Sequence, residues 1–112
     1  MPNDTIAAIA TARGIAALAV VRMTGPSSID IANRLFYGAD LVSAPSQTVH
    51  VGEFRDPSGI DVDQVVVTLF KAPRSVTGED VVEISCHGGD RAQKVILRAL
   101  LDSGRPLSYK IR

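Results

Sequence analysis

The sequence predicts an α+β fold in which two helices pack on a mainly antiparallel sheet of about five strands. Two observations support this prediction: short runs of β-branched and small apolar residues separated by turn formers, and two longer stretches whose apolar residues recur at helical spacing. The predicted order of elements is β-β-α-β-β-β-α. The chain of 112 residues has the length of a single domain, and its 46% hydrophobic content is ordinary for a globular protein.

The N-terminal half is predicted to form two strands and a helix. Residues 5–10, TIAAIA, and 17–24, ALAVVRMT, are rich in small apolar residues and predict two strands joined by a turn. The GPSS stretch at 25–28 ends the second strand, and Ser27 or Ser28 can cap a following helix. The apolar residues of that helix fall on one face: Ile29, Ile31, Ala32, Leu35 and Phe36.

The C-terminal half is predicted to form three strands and a second helix. Residues 47–54 and 61–70 predict a long hairpin, because RDPSG at 55–59 is a strong turn signal. A loop rich in turn formers then precedes a strand at 80–86. The last helix is predicted at 89–102, where apolar residues again recur on one face.

Composition and charge narrow the classes of function. The chain has 12 basic and 12 acidic residues, and it lacks the basic footprint of a stand-alone nucleic-acid binder. Its single cysteine, Cys86, cannot build a disulfide framework, which favours a reducing, cytoplasmic compartment. The N-terminus shows no signal-peptide pattern, and the longest apolar run, residues 15–21, is too short to span a membrane.

The adjacent Cys86 and His87 suggest a nucleophile and its base, but strand geometry argues against this role. Neighbouring residues in a strand point to opposite faces, so the thiol and the imidazole do not meet. Cys86 shares a face with Val82 and Ile84 and is therefore predicted to be a small buried hydrophobe. No metal site is expected, because His50 lies far from His87 and no ligand motif is present.

Two further features leave alternatives open. Gly88 and Gly89 precede a helix, where free backbone amides can hold an anion or where two glycines only permit a tight turn. Arg22 and Glu83 each interrupt an apolar strand, and a charge in such a place needs an opposite charge or a ligand. From their spacing, an Arg22–Glu83 ion pair and a binding site are equally good interpretations.

Two stretches of the sequence resemble a known family. They are TARGIAALAVVRMTG and GEFRDPSGIDVDQVVVTLFKAPRSVTGEDVVEISCHGG, in this order and spacing. The most specific part runs from Ser75 to Gly89 and fits the pattern S-[hydrophobic]-T-G-E-D-x-x-E-x-x-x-H-G-G. Over residues 4–104 the chain resembles the N-terminal domain of the MnmE/TrmE family of tRNA-modification GTPases.

The resemblance implies a fold similar to the folate-binding modules of one-carbon enzymes, a constitutive homodimer and a bound tetrahydrofolate. The implied ligand is 5-formyltetrahydrofolate or a related tetrahydrofolate, and Arg22 and Glu83 match the family's folate contacts. The resemblance implies more weakly that five other residues shape the pocket: Thr77, Gly78, His87, Gly88 and Gly89.

In the full-length family, the resemblance implies a GTPase domain that uses GTP, Mg and K. Together with an FAD-dependent partner of the MnmG/GidA type, such proteins modify the wobble uridine of tRNA. The GTPase domain is expected to be absent from this chain, so the chain alone is not expected to be catalytic.

The C-terminal tail is expected to depart from the family. Residues 105–112, RPLSYKIR, stand where the family has a P-G-E-F-T…R-A-F-x-N-G-K stretch with a folate-contacting lysine. The expected organisation is a folate-binding and dimerisation domain at 1–104 and a divergent tail, which is either the end of a fragment or a short edge strand. An alternative function is a pure dimerisation scaffold without folate binding, in which Arg22 and Glu83 form a buried structural ion pair.

Overall fold

A computed structural model shows two helices and one sheet. It describes residues 5–9, 19–73, 75, 78–87, 89–103 and 107–110. The elements in chain order are β1 Thr5–Ile9, β2 Ala19–Thr24, α1 Ser28–Leu35, β3 Phe36–Tyr37, β4 Thr48–Arg55, β5 Asp61–Phe70, β6 Val81–Cys86, α2 Gly89–Ser103 and β7 Leu107–Lys110.

Seven strands of the described residues form a single sheet in the order β3-β4-β5-β6-β2-β1-β7. Neighbouring strands are antiparallel, except that β1 and β7 are parallel. The α+β class, the two helices and the mainly antiparallel sheet are therefore confirmed. The prediction of about five strands in the order β-β-α-β-β-β-α is wrong, because β3 and β7 extend the order to β-β-α-β-β-β-β-α-β.

Strand β3 forms because α1 ends one residue before its apolar spacing predicts. Phe36 has an extended backbone, with φ −97° and ψ 127°. It pairs with Phe54, and Tyr37 pairs with Glu53. Aromatic residues favour an extended backbone where they can pack on a sheet, so Phe36 is buried by the sheet instead of continuing the helix.

Strand β7 lies in the tail for which two interpretations were left open. Leu107–Lys110 pairs in parallel with β1, which places Leu107 opposite Thr5 and Lys110 opposite Ala8. Residues 107–110 of the tail therefore form an edge strand.

The core lies between one face of the sheet and the two helices. Every second residue of the central strands points to this face, and these residues are almost inaccessible to solvent: Val21, Met23, Val65, Val67, Leu69, Val82, Ile84 and Cys86. The helices close the core with residues at helical spacing: Ile31, Ala32, Leu35, Ala92, Ile96 and Leu100. Neither described helix, at 8 and 15 residues, is long and apolar enough to cross a membrane.

The opposite side of the sheet, which we call the open face, is not covered by either described helix. It carries the alternate residues of each strand, including the charged Arg22 and Glu83. It also carries Val49 and Val51, which are 60% and 62% exposed. Antiparallel sheets often leave one face to solvent, and that face is usually polar, so the two exposed valines depart from the usual pattern.

Candidate functional site

Arg22 on β2 and Glu83 on β6 lie directly opposite each other on the open face. Arg22 Nε donates a hydrogen bond to Glu83 Oε2 at 2.8 Å, and Nη2 lies 2.7 Å from the same oxygen. The arginine side chain is 50% exposed and the glutamate side chain 27%. The structure thus brings together two residues that the sequence separates by 61 positions.

The geometry of the pair leaves part of the carboxylate available to a ligand. Both contacts from Arg22 are made to Oε2 of Glu83, and within the described residues no hydrogen bond reaches Oε1. An exposed ion pair typically contributes about 0.2–1 kcal/mol to stability. Its main consequence is therefore the orientation of the carboxylate, and a ligand at Oε1 is compatible with the ion pair.

Thr68 on β5 is the next residue in the same row of the sheet, and the sequence analysis did not single it out. It lies opposite Glu83, on the side away from Arg22. Val66 and Phe70 flank Thr68 on the same face of β5, and all three are half-buried. The alternation within β5 indicates which residues share a face but not which strand lies beside them, so the sequence alone could not place Thr68 next to Glu83.

Cys86 lies in the core, and its prediction as a buried hydrophobe is confirmed. The side chain is 0% exposed, and Sγ contacts the carbonyl oxygen of Ala19 at 3.6 Å. Burial, with a smaller contribution from the charge of Asp63, raises the pKa of the Cys86 thiol to about 11. The thiolate is the nucleophilic form of cysteine, so this thiol is not suited to nucleophilic catalysis near neutral pH.

His87 lies beyond the end of β6 and is exposed. Its backbone N–H donates to Asp63 Oδ2 at 2.7 Å, and its ring Nδ1 lies 3.3 Å from the carbonyl oxygen of Gln64. These contacts hold the residue against β5, whereas Cys86 points into the core. The predicted separation of the thiol and the imidazole is confirmed.

Three of the other residues implied by the family resemblance, Gly78, His87 and Gly89, lie at the two ends of β6. Gly78 precedes the strand with a φ of +80°, a conformation that favours glycine. His87 and Gly89 follow the strand, and Gly89 is the first residue of α2. The six residues of β6 span about 20 Å, so Gly78 and His87 do not form one cluster around Glu83. Thr77 and Gly88 lie outside the described residues, and the anion-binding interpretation of Gly88 and Gly89 stays a prediction.

A second feature of the open face is an apolar patch formed by Tyr37, Val49 and Val51, which we call the valine patch. These three side chains are 47%, 60% and 62% exposed. Val49 lies opposite Thr68, so the patch is continuous with the row that contains Glu83. The guanidinium of Arg55 lies 4.1 Å from the centre of the Tyr37 ring and borders the patch with a positive charge.

Metal binding finds no support in the described part of the chain. Within it, no group of three or more histidine, cysteine, aspartate or glutamate residues is arranged to hold an ion. The carboxylate of Glu83 faces an arginine, which is a poor neighbour for a cation.

Comparison with known proteins places this chain in a family. A family model described as the N-terminus of the GTP-binding protein TrmE matches residues 5–110. Three similar proteins are each named tRNA modification GTPase MnmE. The protein from Salinibacter ruber is 62% identical over 102 residues, which cover 91% of this chain and 22% of the relative. The protein from Cytophaga hutchinsonii is 48% identical with the same coverage, and that from Lactobacillus acidophilus is 47% identical over 90% of this chain and 22% of the relative.

The family match extends over both helices and all seven strands of the described residues. The chain spans about a fifth of the length of these relatives, at 22%. The similarity therefore concerns only this fifth of each relative and says nothing about the rest of the relative's sequence. The chain belongs to the family of the N-terminus of the GTP-binding protein TrmE.

Proposed function

We propose that this chain is a tetrahydrofolate-binding and homodimer-forming domain of a cytoplasmic GTPase that modifies tRNA. The proposal that the chain is part of a GTPase that modifies tRNA is supported by its family membership and by the name of its relatives, tRNA modification GTPase. The observation that carries folate binding is the Arg22–Glu83 pair on the open face, in which no described residue donates a hydrogen bond to Oε1 of the carboxylate.

The chemistry of the pair suits the pterin ring of a folate. A pterin presents an amino group and a ring N–H side by side, and a carboxylate is a suitable acceptor for both. Arg22 orients the carboxylate, and its planar guanidinium has further N–H groups that can bind a carbonyl or carboxylate oxygen of the ligand. The expected ligand is 5-formyltetrahydrofolate or a related tetrahydrofolate.

In this proposal the chain binds and positions the folate, and none of its residues is catalytic. The folate supplies the one-carbon unit for the wobble uridine of tRNA. GTP hydrolysis, with Mg and K, belongs to a GTPase domain in the remaining length of the relatives. An FAD-dependent protein of the MnmG/GidA type is the expected partner of the full-length protein.

Isothermal titration of 5-formyltetrahydrofolate into the purified chain tests the proposal. Saturable binding is expected, and Glu83→Gln should weaken it by at least about tenfold, because charge-assisted hydrogen bonds to the ligand are lost at nearly constant side-chain volume. Glu53→Gln is the matched control, since Glu53 lies on the open face but four residues beyond Val49 on β4. A folded chain that does not bind, or equal affinity of Glu83→Gln and the unsubstituted chain, would refute the folate site.

A second candidate function is a dimerisation scaffold without folate binding. The observation in its favour is the valine patch, because contiguous exposed apolar residues mark interaction surfaces. Light scattering with and without 5-formyltetrahydrofolate separates the candidates. A dimer that shows no heat of folate binding supports the scaffold.

A further inference from the structure

We propose that Thr68 is a further ligand-binding residue and that the ring of the ligand lies on the β5 side of Glu83. This inference rests on the proposed function, because it assigns the part of the open face that receives the ring. The inference adds Thr68 to the Arg22–Glu83 pair and states the side of Glu83 from which the ligand approaches.

The register of the sheet determines which side of Glu83 is accessible to a ligand. Glu83 lies between Arg22 on β2 and Thr68 on β5. Side chains directly opposite each other on antiparallel strands have Cβ atoms about 4.5–5.5 Å apart. Arg22 occupies the β2 side through two contacts to Oε2, so a planar ligand reaches the carboxylate edge from the β5 side.

The polar atoms on the β5 side form a complementary pair. Among the described residues, no hydrogen bond is made to Glu83 Oε1 or by the hydroxyl of Thr68. A carboxylate oxygen accepts hydrogen bonds, whereas a hydroxyl both donates and accepts. Together they match a heterocycle edge that presents N–H donors beside a carbonyl oxygen or a ring nitrogen, as the pyrimidine edge of a pterin does.

The apolar neighbours of Thr68 provide a surface for the face of the ring. Val66 and Phe70 lie two residues before and after Thr68 on the same face of β5 and are half-buried. Phe70 lies opposite Val81, which is only 6% exposed, so this end of the surface is well packed. Small-molecule sites combine such apolar walls with a few convergent polar groups.

Three variants test the role of the hydroxyl by titration with 5-formyltetrahydrofolate. Thr68→Val keeps the shape of the side chain but removes the hydroxyl, and we expect it to weaken binding about tenfold. Thr68→Ser keeps the hydroxyl, and its affinity should stay within about threefold of the unsubstituted chain. Thr24→Val is the matched control, because Thr24 is half-buried on the same face but lies opposite Val81.

The outcomes separate this inference from the proposed function. Equal affinity of Thr68→Val and the unsubstituted chain, with Glu83→Gln still weakened, would overturn the inference and leave the folate site intact. Equal weakening by Thr68→Val and Thr68→Ser would also overturn it, because packing rather than the hydroxyl would then matter. A folded chain without folate binding would overturn both proposals.

A second measurement locates the ring without any substitution. In amide NMR spectra of the chain, 5-formyltetrahydrofolate should shift the resonances of Val66, Thr68 and Phe70 more than those of Val20 and Thr24 on β2. Larger shifts on β2 would place the ring on the arginine side of Glu83 and would contradict the proposed direction of approach.

Discussion

Arg22 and Glu83 form a cross-strand ion pair in which both contacts of the guanidinium are made to one carboxylate oxygen, Oε2. The pair lies on a solvent-accessible sheet face, with 50% of the arginine side chain and 27% of the glutamate side chain exposed. This corrects the buried ion pair that the scaffold alternative assumed. An exposed pair orients its members but contributes little to folding.

Replacing Glu83 by Ala should therefore lower the free energy of unfolding by no more than about 1 kcal/mol. Urea denaturation of the two chains measures the difference. Asp61→Ala is a suitable control, because it removes the exposed 2.7 Å pair between Arg55 and Asp61 and should have a similarly small effect. A loss of several kcal/mol for Glu83→Ala alone would indicate that the pair is a structural element of the sheet.

The valine patch predicts that two copies of the chain associate through this surface. If two copies of the chain meet through this patch, the double variant Val49→Lys/Val51→Lys should raise the dimer dissociation constant at least about tenfold, because two charges would be buried in an apolar contact. The monomer should keep its stability, since both valines are already more than half exposed. Sedimentation equilibrium measures the association.

The control for the valine patch is Ile60→Lys, at an isoleucine that is 65% exposed in the β4–β5 turn. It changes an exposed apolar residue outside the patch and should leave the association unchanged. An unaltered dimer in the double variant would place the interface elsewhere on the chain.

Burial of Cys86 predicts a loss of stability in alkaline solution. Burial raises the pKa of the Cys86 thiol to about 11 in the folded chain, whereas an accessible thiol has an ordinary pKa of 9.0. The stabilising effect is complete below pH 9 and is lost as the pH rises through 11, because the unfolded chain ionises first. Once the thiol is ionised in both the folded and the unfolded chain, the free energy of unfolding is lower by on the order of 3 kcal/mol than below pH 9.

Urea unfolding measured between pH 8 and 11 follows the onset of this loss, because the pKa of the thiol is about 11 in the folded chain. Cys86→Ala removes the titrating group and should show a shallower fall over the same range, although it starts from a lower stability because a small cavity forms. Parallel pH curves for the two chains would argue against a buried thiol. In the folded unsubstituted chain, a thiol reagent should also react slowly near neutral pH.

We predict that only glycine fits at position 52, because β3 lies very close to the backbone of β4 there. A Cβ atom at this position would lie 2.5 Å from the carbonyl oxygen of Tyr37 and 2.7 Å from Cζ of Phe36. Gly52→Ala should therefore destabilise the chain by about 1–3 kcal/mol or more, because the backbone of β3 has to move. Urea denaturation measures the change.

Gly59→Ala provides the comparison for Gly52→Ala. Gly59 has a φ of +91°, but no described atom lies within 4 Å of its added Cβ, so only backbone strain of about 1–2 kcal/mol is expected. A loss of clearly less than about 1 kcal/mol for Gly52→Ala would mean that β3 yields easily and that steric contact with Tyr37 is not limiting.

The sequence could predict the central part of the fold because its patterns are local. Alternation in 61–70 and in 80–86 indicates strands, and the apolar spacing after residue 89 indicates a helix, without knowledge of the rest of the chain. Because local patterns carry no information about neighbouring strands, β3 was not predicted and β7 was left as one of two interpretations of the tail. They contain two and four residues, and each exists only because a longer strand lies beside it.

The candidate site was only partly predictable from the sequence. Arg22 and Glu83 stand out because a charge interrupts an apolar strand, and that signal is local. Thr68 gives no such signal, because threonine is an ordinary strand residue. Its proposed role becomes visible only when β5 and β6 are paired.

By itself, the sequence determined the α+β class, the positions of the two helices, the burial of Cys86 and the two charged residues of the candidate site. It did so because alternation, helical spacing and interrupting charges are properties of short segments. Only the tertiary structure decided that Arg22, Glu83 and Thr68 lie in one row beside the valine patch. Strand order and register depend on contacts between distant segments, and a shift of one residue would turn each of these side chains to the other face.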